Sequence, residues 1–91
     1  MKVLPTTVKL YKQTTEFDEN TVPAGLRKSH STREGVWAKI IVLEGELIYR
    51  ILDPVVEETK LTPERFGVVE PTVKHEVVPG ERVRFYVEFY R

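Results

Sequence analysis

Six prolines, at positions 5, 23, 54, 63, 71 and 79, divide this chain into pieces too short for a long helix, because proline removes a backbone donor and its ring clashes with the preceding turn. The longest proline-free piece, residues 24–53, carries glycines at 25, 35 and 45, which weaken a helix further. What the sequence offers instead is alternation. Val83, Phe85, Val87 and Phe89 share one face of the last segment, and Arg82, Arg84, Tyr86, Glu88 and Tyr90 share the other; this is the period of a strand with one side buried. Leu47, Tyr49 and Ile51 stand against Glu46, Ile48 and Arg50 in a second strand, and the apolar run 36–43, with Trp37, Ile40, Ile41 and Val42, predicts a central one.

Turn chemistry predicts how the strands connect. Glu44-Gly45 separates two strand patterns, and glycine takes the positive φ of a tight hairpin turn, so an antiparallel hairpin is expected there. Pro79-Gly80 is expected to turn the chain into the last strand. Further short strands are expected at 7–11, 67–70 and 75–78, and Thr62-Pro63-Glu64-Arg65 as a single helical turn with Thr62 as its cap. The polar stretch 14–20 is expected as a surface loop that tucks Phe17 inward. Six or seven short strands around one core favour a closed barrel or sandwich over an open sheet, because closure protects the edges.

Composition narrows the class of function. With 91 residues the chain supports one core, so a single domain over residues 1–91 is expected. Lys+Arg and Asp+Glu are equal at 14 each and interspersed, leaving no basic field to gather a nucleic acid or an anionic membrane. There is no cysteine, which excludes disulfides, thiolate nucleophiles and zinc sites built on sulfur. No signal-like or membrane-spanning apolar run is present, so a cytoplasmic location is expected. Neither Gly-x-Gly-x-x-Gly nor a Walker pattern occurs, and no nucleotide cofactor is expected.

Candidate chemistry gathers at the two histidines, His30 and His75, since imidazole is the commonest metal ligand and titrates near neutral pH. A zinc or similar divalent site needs at least three protein donors. Glu70, Glu44 and Glu88 are open candidates for the third; Glu76 is disfavoured, because on a strand it points away from its neighbour His75. Residues 27–33, with Arg27, Lys28, His30, Thr32 and Arg33, combine basic and hydroxyl groups in a pattern suited to a small oxyanion. Ser29 and Ser31 flank His30, but Gly-x-Ser-x-Gly is absent, and Glu57-Glu58 reads as a solvated pair. Trp37 is a candidate pocket wall as well as a core residue. Tyr86 and Tyr90, on the polar face of the last strand, point to a homodimer.

The run from His30 through Gly35 and Trp37 to Gly45, then Glu70-Pro71 to His75 and the closing Phe89-Tyr90, resembles the TehB/YeaR-like domain family. Its members are small cupin-like proteins, among them the N-terminal domain of a tellurite-resistance methyltransferase. The resemblance implies an all-β double-stranded β-helix, that is, an antiparallel β-barrel. It also implies an association with tellurite or nitrosative stress, and His30 and His75 facing one pocket. Against metal-binding cupins the pattern is eroded: Thr32 stands where a second histidine is expected and Ala38 where a glutamate is, leaving two of four usual ligands. The sequence stops at Arg91, so a following methyltransferase domain is not expected. The expected function is a binding module that holds a small molecule, oxyanion or weakly bound metal through His30 and His75, with Arg27, Thr32, Arg33 and Trp37 around it. The alternatives are a metal-dependent cupin enzyme and an accessory domain for a separate enzyme.

Overall fold

The computed structural model describes residues 2–91. They form six strands: β1 (Leu10–Gln13), β2 (Phe17–Asp18), β3 (Trp37–Ile51), β4 (Glu57–Leu61), β5 (Gly67–Val69) and β6 (His75–Tyr90). One 3-10 turn, Ala24–Arg27, precedes β3. All strand pairing is antiparallel, with β1-β6-β3-β4 as the main order, β2 joined to β6 and β5 to β3. The all-β expectation holds, although β1 and β4 end the path and the sheet does not close into a barrel. No helix among the described residues is long and apolar enough to cross a membrane.

The backbone of the fold is one long ribbon. β3 and β6 pair along almost their whole length, from Trp37 opposite Tyr90 to Ile51 opposite His75. Both predicted turns lie inside it. Glu44-Gly45 makes no hairpin, because residues on both sides of it pair with the same partner strand; the register shifts between Val42 and Glu44 and again between Gly45 and Leu47, which is a bulge. Gly45 keeps the positive φ expected of it, +81°, and a Cβ there would overlap the carbonyl oxygen of Arg82. Gly80 faces the bulge from β6, where a Cβ would come within 2.9 Å of the Glu46 carbonyl oxygen. Pro79-Gly80 therefore belongs to the bend of one strand and not to a turn between two.

The bulge also changes which residues face inward. Ala38, Ile40 and Val42 are buried before it and Leu47 and Tyr49 after it, so the inward set switches from even to odd numbers, as one extra residue requires. Residues from both halves of the ribbon share a single core with Leu61, Val69, Val77, Val83, Phe85 and Val87. The ribbon thus folds over on itself at the bulge. Phe17 tucks in as expected, its ring 5.7 Å from that of Phe85. Thr62–Arg65 closes on itself as a tight turn, the Arg65 N–H donating to the Thr62 carbonyl at 2.9 Å, and the helical turn expected there does not form: the short connection between Leu61 of β4 and Gly67 of β5 has room only to reverse direction.

Candidate functional site

Two loops meet at the start of β6. The His30 N–H donates to the His75 carbonyl at 3.0 Å, and the His75 N–H returns the bond to the His30 carbonyl at 2.9 Å, making an antiparallel bridge between residues far apart in the chain. Two positions away the Thr72 N–H donates to the Thr32 carbonyl at 3.1 Å. Thr72 holds φ +64°, a region costly for a β-branched residue; its bond to Thr32 helps keep it there. The Thr32 hydroxyl donates to the Val36 carbonyl at 2.8 Å, so it ties its own loop to the start of β3.

This backbone bridge sets the two imidazoles side by side, with ring centres 4.0 Å apart and planes inclined by 57°. Each ring is also tied by its own chain: His30 Nδ1 lies 2.9 Å from the Lys28 carbonyl oxygen and His75 Nδ1 2.9 Å from that of Val73. A carbonyl can only accept, so each Nδ1 carries the hydrogen, and Nε2 is left as the acceptor on each neutral ring. Tyr49 meets His75 edge-on at 5.7 Å and donates its hydroxyl to the Val68 carbonyl at 3.1 Å. Burial lowers the His75 pKa to about 4; the bond to Val73 opposes that shift, and the neighbouring His30 adds to it. Burial pushes the Tyr49 hydroxyl up. His75 is therefore a neutral base at neutral pH.

Both histidines line a cavity of about 710 Å³, within the usual size range of small-molecule sites. Its walls are apolar: Val36, Ala38, Ile40, Val69, Val77, Val87 and Phe89 among others. Ser31, Thr32 and Arg33 reach it from the loop, and Tyr11, Lys12 and Arg91 from the β1 side. Of the residues singled out in the sequence, His30, His75, Thr32 and Arg33 thus come together. Trp37 and Arg27 do not line the cavity. The β3 alternation that sends Ala38 inward sends Trp37 outward, and Arg27 is exposed on the 3-10 turn. Sequence reasoning missed Lys12 and Arg91, because their place at the cavity depends on β1 pairing with the end of β6, which no local signal announces.

The donor set does not fit a shared zinc ion. Among the described residues no group of three His, Asp or Glu side chains is placed to hold a metal. Glu44 is engaged with Arg84, Glu76 with Arg50 and Glu88 with Tyr90, and Glu70 is not part of the cavity lining. Ring spacing gives an independent test. With a zinc–nitrogen bond of about 2.1 Å, two imidazoles on one tetrahedral ion have ring centres more than about 5 Å apart. The observed 4.0 Å is too close.

A family model described as the TehB-like domain matches residues 12–87. The chain belongs to that family. It is similar to the crystal structure of TehB from Haemophilus influenzae, with 28% identity and a TM-score of 0.85 over 93% of this chain and 32% of that one. The TehB-like chain thus spans about a third of the length of that relative. A structural-genomics protein from E. coli strain K12 superposes over 100% of this chain and 97% of its own, with a TM-score of 0.89 at 19% identity. A cupin-2 domain protein from Shewanella frigidimarina matches 89% of this chain and 66% of its own, with a TM-score of 0.56 at 20% identity. The last two share the fold, which is cupin-like. No curated protein matches the chain significantly.

Proposed function

We propose that this TehB-like domain is a binding module that takes a small anion into the cavity beside His30 and His75. The supporting observation is the composition of the cavity lining, where Lys12, Arg33 and Arg91 join the two imidazoles and no aspartate or glutamate side chain is present. The association of the resembled family with tellurite and nitrosative stress makes an oxyanion the first probe. Because the Nδ1 hydrogens are spent on backbone carbonyls, neutral imidazoles offer lone pairs, which repel a bare anion. The anion then enters together with a proton, carried either by the ligand or by an imidazole. By linkage, affinity is higher at pH 6 than at pH 8.

Calorimetric titration of the purified chain with tellurite and with acetate, at both pH values, tests this reading. Saturable binding that strengthens at the lower pH is expected, and no heat from either anion at either pH would remove the proposal. Zinc titration of the wild type and of His75→Ala serves as a control on the metal alternative. One-to-one binding that disappears in the variant would revive it. The fraction of TehB that the module spans favours a second reading, as an accessory domain to a catalytic partner. Co-purification from the native cell tests that, and recovery of the chain without a companion counts against it.

A further inference from the structure

Resting on the reading that the cavity takes an anion, we infer that its ligand is an organic acid with an apolar body, its carboxylate at the cationic rim and its hydrocarbon part against the cavity wall. Two features carry this. The first is the mismatch between the cavity and a bare oxyanion. A volume of about 710 Å³ is far more than a tetrahedral or pyramidal inorganic ion fills, and Ile40, Val69, Val87 and Phe89 offer such an ion no hydrogen bond. Burying a charged group against these side chains without partners is costly. Burying methylene groups there is favourable.

The second feature is the distribution of charge. Arg50 and Arg84, on the outer face of the ribbon, are each held by two carboxylates, Glu58 and Glu76 for the first and Glu44 and Glu16 for the second. The cations at the cavity are held differently. Arg91 stacks on Tyr11 at 4.0 Å, Lys12 lies 6.0 Å from the ring of Phe89, and Arg33 is exposed. Among the described residues no aspartate or glutamate side chain forms an ion pair with any of the three. In a chain with 14 acidic residues for 14 basic ones, three cations without an aspartate or glutamate partner around an apolar cavity match a ligand that brings one negative charge and a greasy remainder. A planar guanidinium such as that of Arg33 suits a carboxylate in particular.

Titration of the intact chain with acetate, butyrate, hexanoate and benzoate, beside tellurite and the neutral analogues hexanol and benzyl alcohol, reads the proposal directly. Each added methylene is expected to tighten binding about fourfold until the cavity is filled, and hexanoate is expected to bind at least tenfold more tightly than tellurite or hexanol. Arg33→Gln should weaken hexanoate several-fold and leave hexanol unchanged. Ala38→Leu, which fills the cavity from β3, should abolish hexanoate binding, and its near-ultraviolet circular dichroism reports whether the fold is intact. Tellurite or acetate binding as tightly as hexanoate would overturn the inference while leaving the anion reading in place. Hexanol binding as tightly as hexanoate, or no ligand binding at all, would overturn both.

Discussion

The two sides of the folded ribbon are built from the same strands but filled differently. Towards β4, Leu47 and Leu61 are 0% exposed and Tyr49 1%, and Gly67 lies so close beneath them that a Cβ there would stand 2.8 Å from Leu61 Cδ1 and 3.3 Å from Tyr49 Cδ2. Towards the loop that carries His30, the inward residues mix small side chains, Val36, Ala38 and Val69, with large ones, Phe85 and Phe89, and together they border a cavity. Hydrophobic residues face inward on both sides, so polarity does not separate them. The cavity does: on one side the side chains fill the space between the strands, and on the other they border a cavity beside the histidines, which a small domain with little core to spare tolerates only to a limited extent.

Truncating both sides should make the contrast largest. Leu61→Ala removes a fully buried side chain from the packed side and is expected to cost about 2–5 kcal/mol, enough to unfold much of the population. Val36→Ala, at the half-buried cavity wall, is expected to cost about 1 kcal/mol, because the atoms removed already lacked neighbours on one side. Urea denaturation of both variants measures the difference. Equal losses would mean that the cavity side is packed as tightly as the other.

The second contrast concerns charge within the core. Among the described residues His75 is the single buried polar or charged one, in a core otherwise made of hydrophobic side chains, and its pKa is lowered from 6.5 to about 4. Between those values the unfolded chain binds more protons than the folded one, so stability is fully present above about pH 6.5 and falls as the pH drops towards 4. The loss from this residue is on the order of 3 kcal/mol. Carboxylates contribute to acid destabilisation elsewhere, so the measurement is a difference: stability against pH for the wild type and for His75→Gln, whose curve should be flatter between pH 6.5 and 4. Parallel curves would show that His75 titrates normally in the folded chain.

Much of this division was legible in the sequence, and the part that was not has a definite cause. Alternation along 83–89 and 47–51 placed Val83, Phe85, Val87, Leu47 and Tyr49 inward, because period-two patterning is a property of a few adjacent residues. Glu44-Gly45 and Pro79-Gly80 carried the same local signal that a hairpin would, yet both became parts of one bulged ribbon. A glycine at positive φ serves a turn and a bulge equally well, and the partner strand, more than thirty residues away, decides which forms. The meeting of His30 with His75 followed from a family resemblance and not from spacing, and the structure does bring them together. A pocket at the two histidines is implied by the same resemblance, but its walls are not: Ala38 reads only as the place of a missing glutamate, and its position between Val69 and Phe89, across its two neighbouring strands, is what makes it part of the lining.

Adding atoms instead of removing them gives the smallest but most selective test of the comparison. Gly67→Ala inserts one methyl against the ends of Leu61 and Tyr49 on the packed side, where no shift is free, and about 1 kcal/mol of destabilisation is expected. Ala38→Leu inserts three more carbons on the open side, where they meet apolar wall and empty volume, and its effect is expected to stay within about 1 kcal/mol of the wild type or to raise stability. The larger insertion should therefore be the better tolerated of the two, an inversion of the usual rule that overpacking costs rise with the number of atoms added. Thermal denaturation of the two variants under one set of conditions decides it. If Ala38→Leu proved the more damaging, the volume beside the histidines would have to close in solution, and the division between a packed side and an open side would not hold.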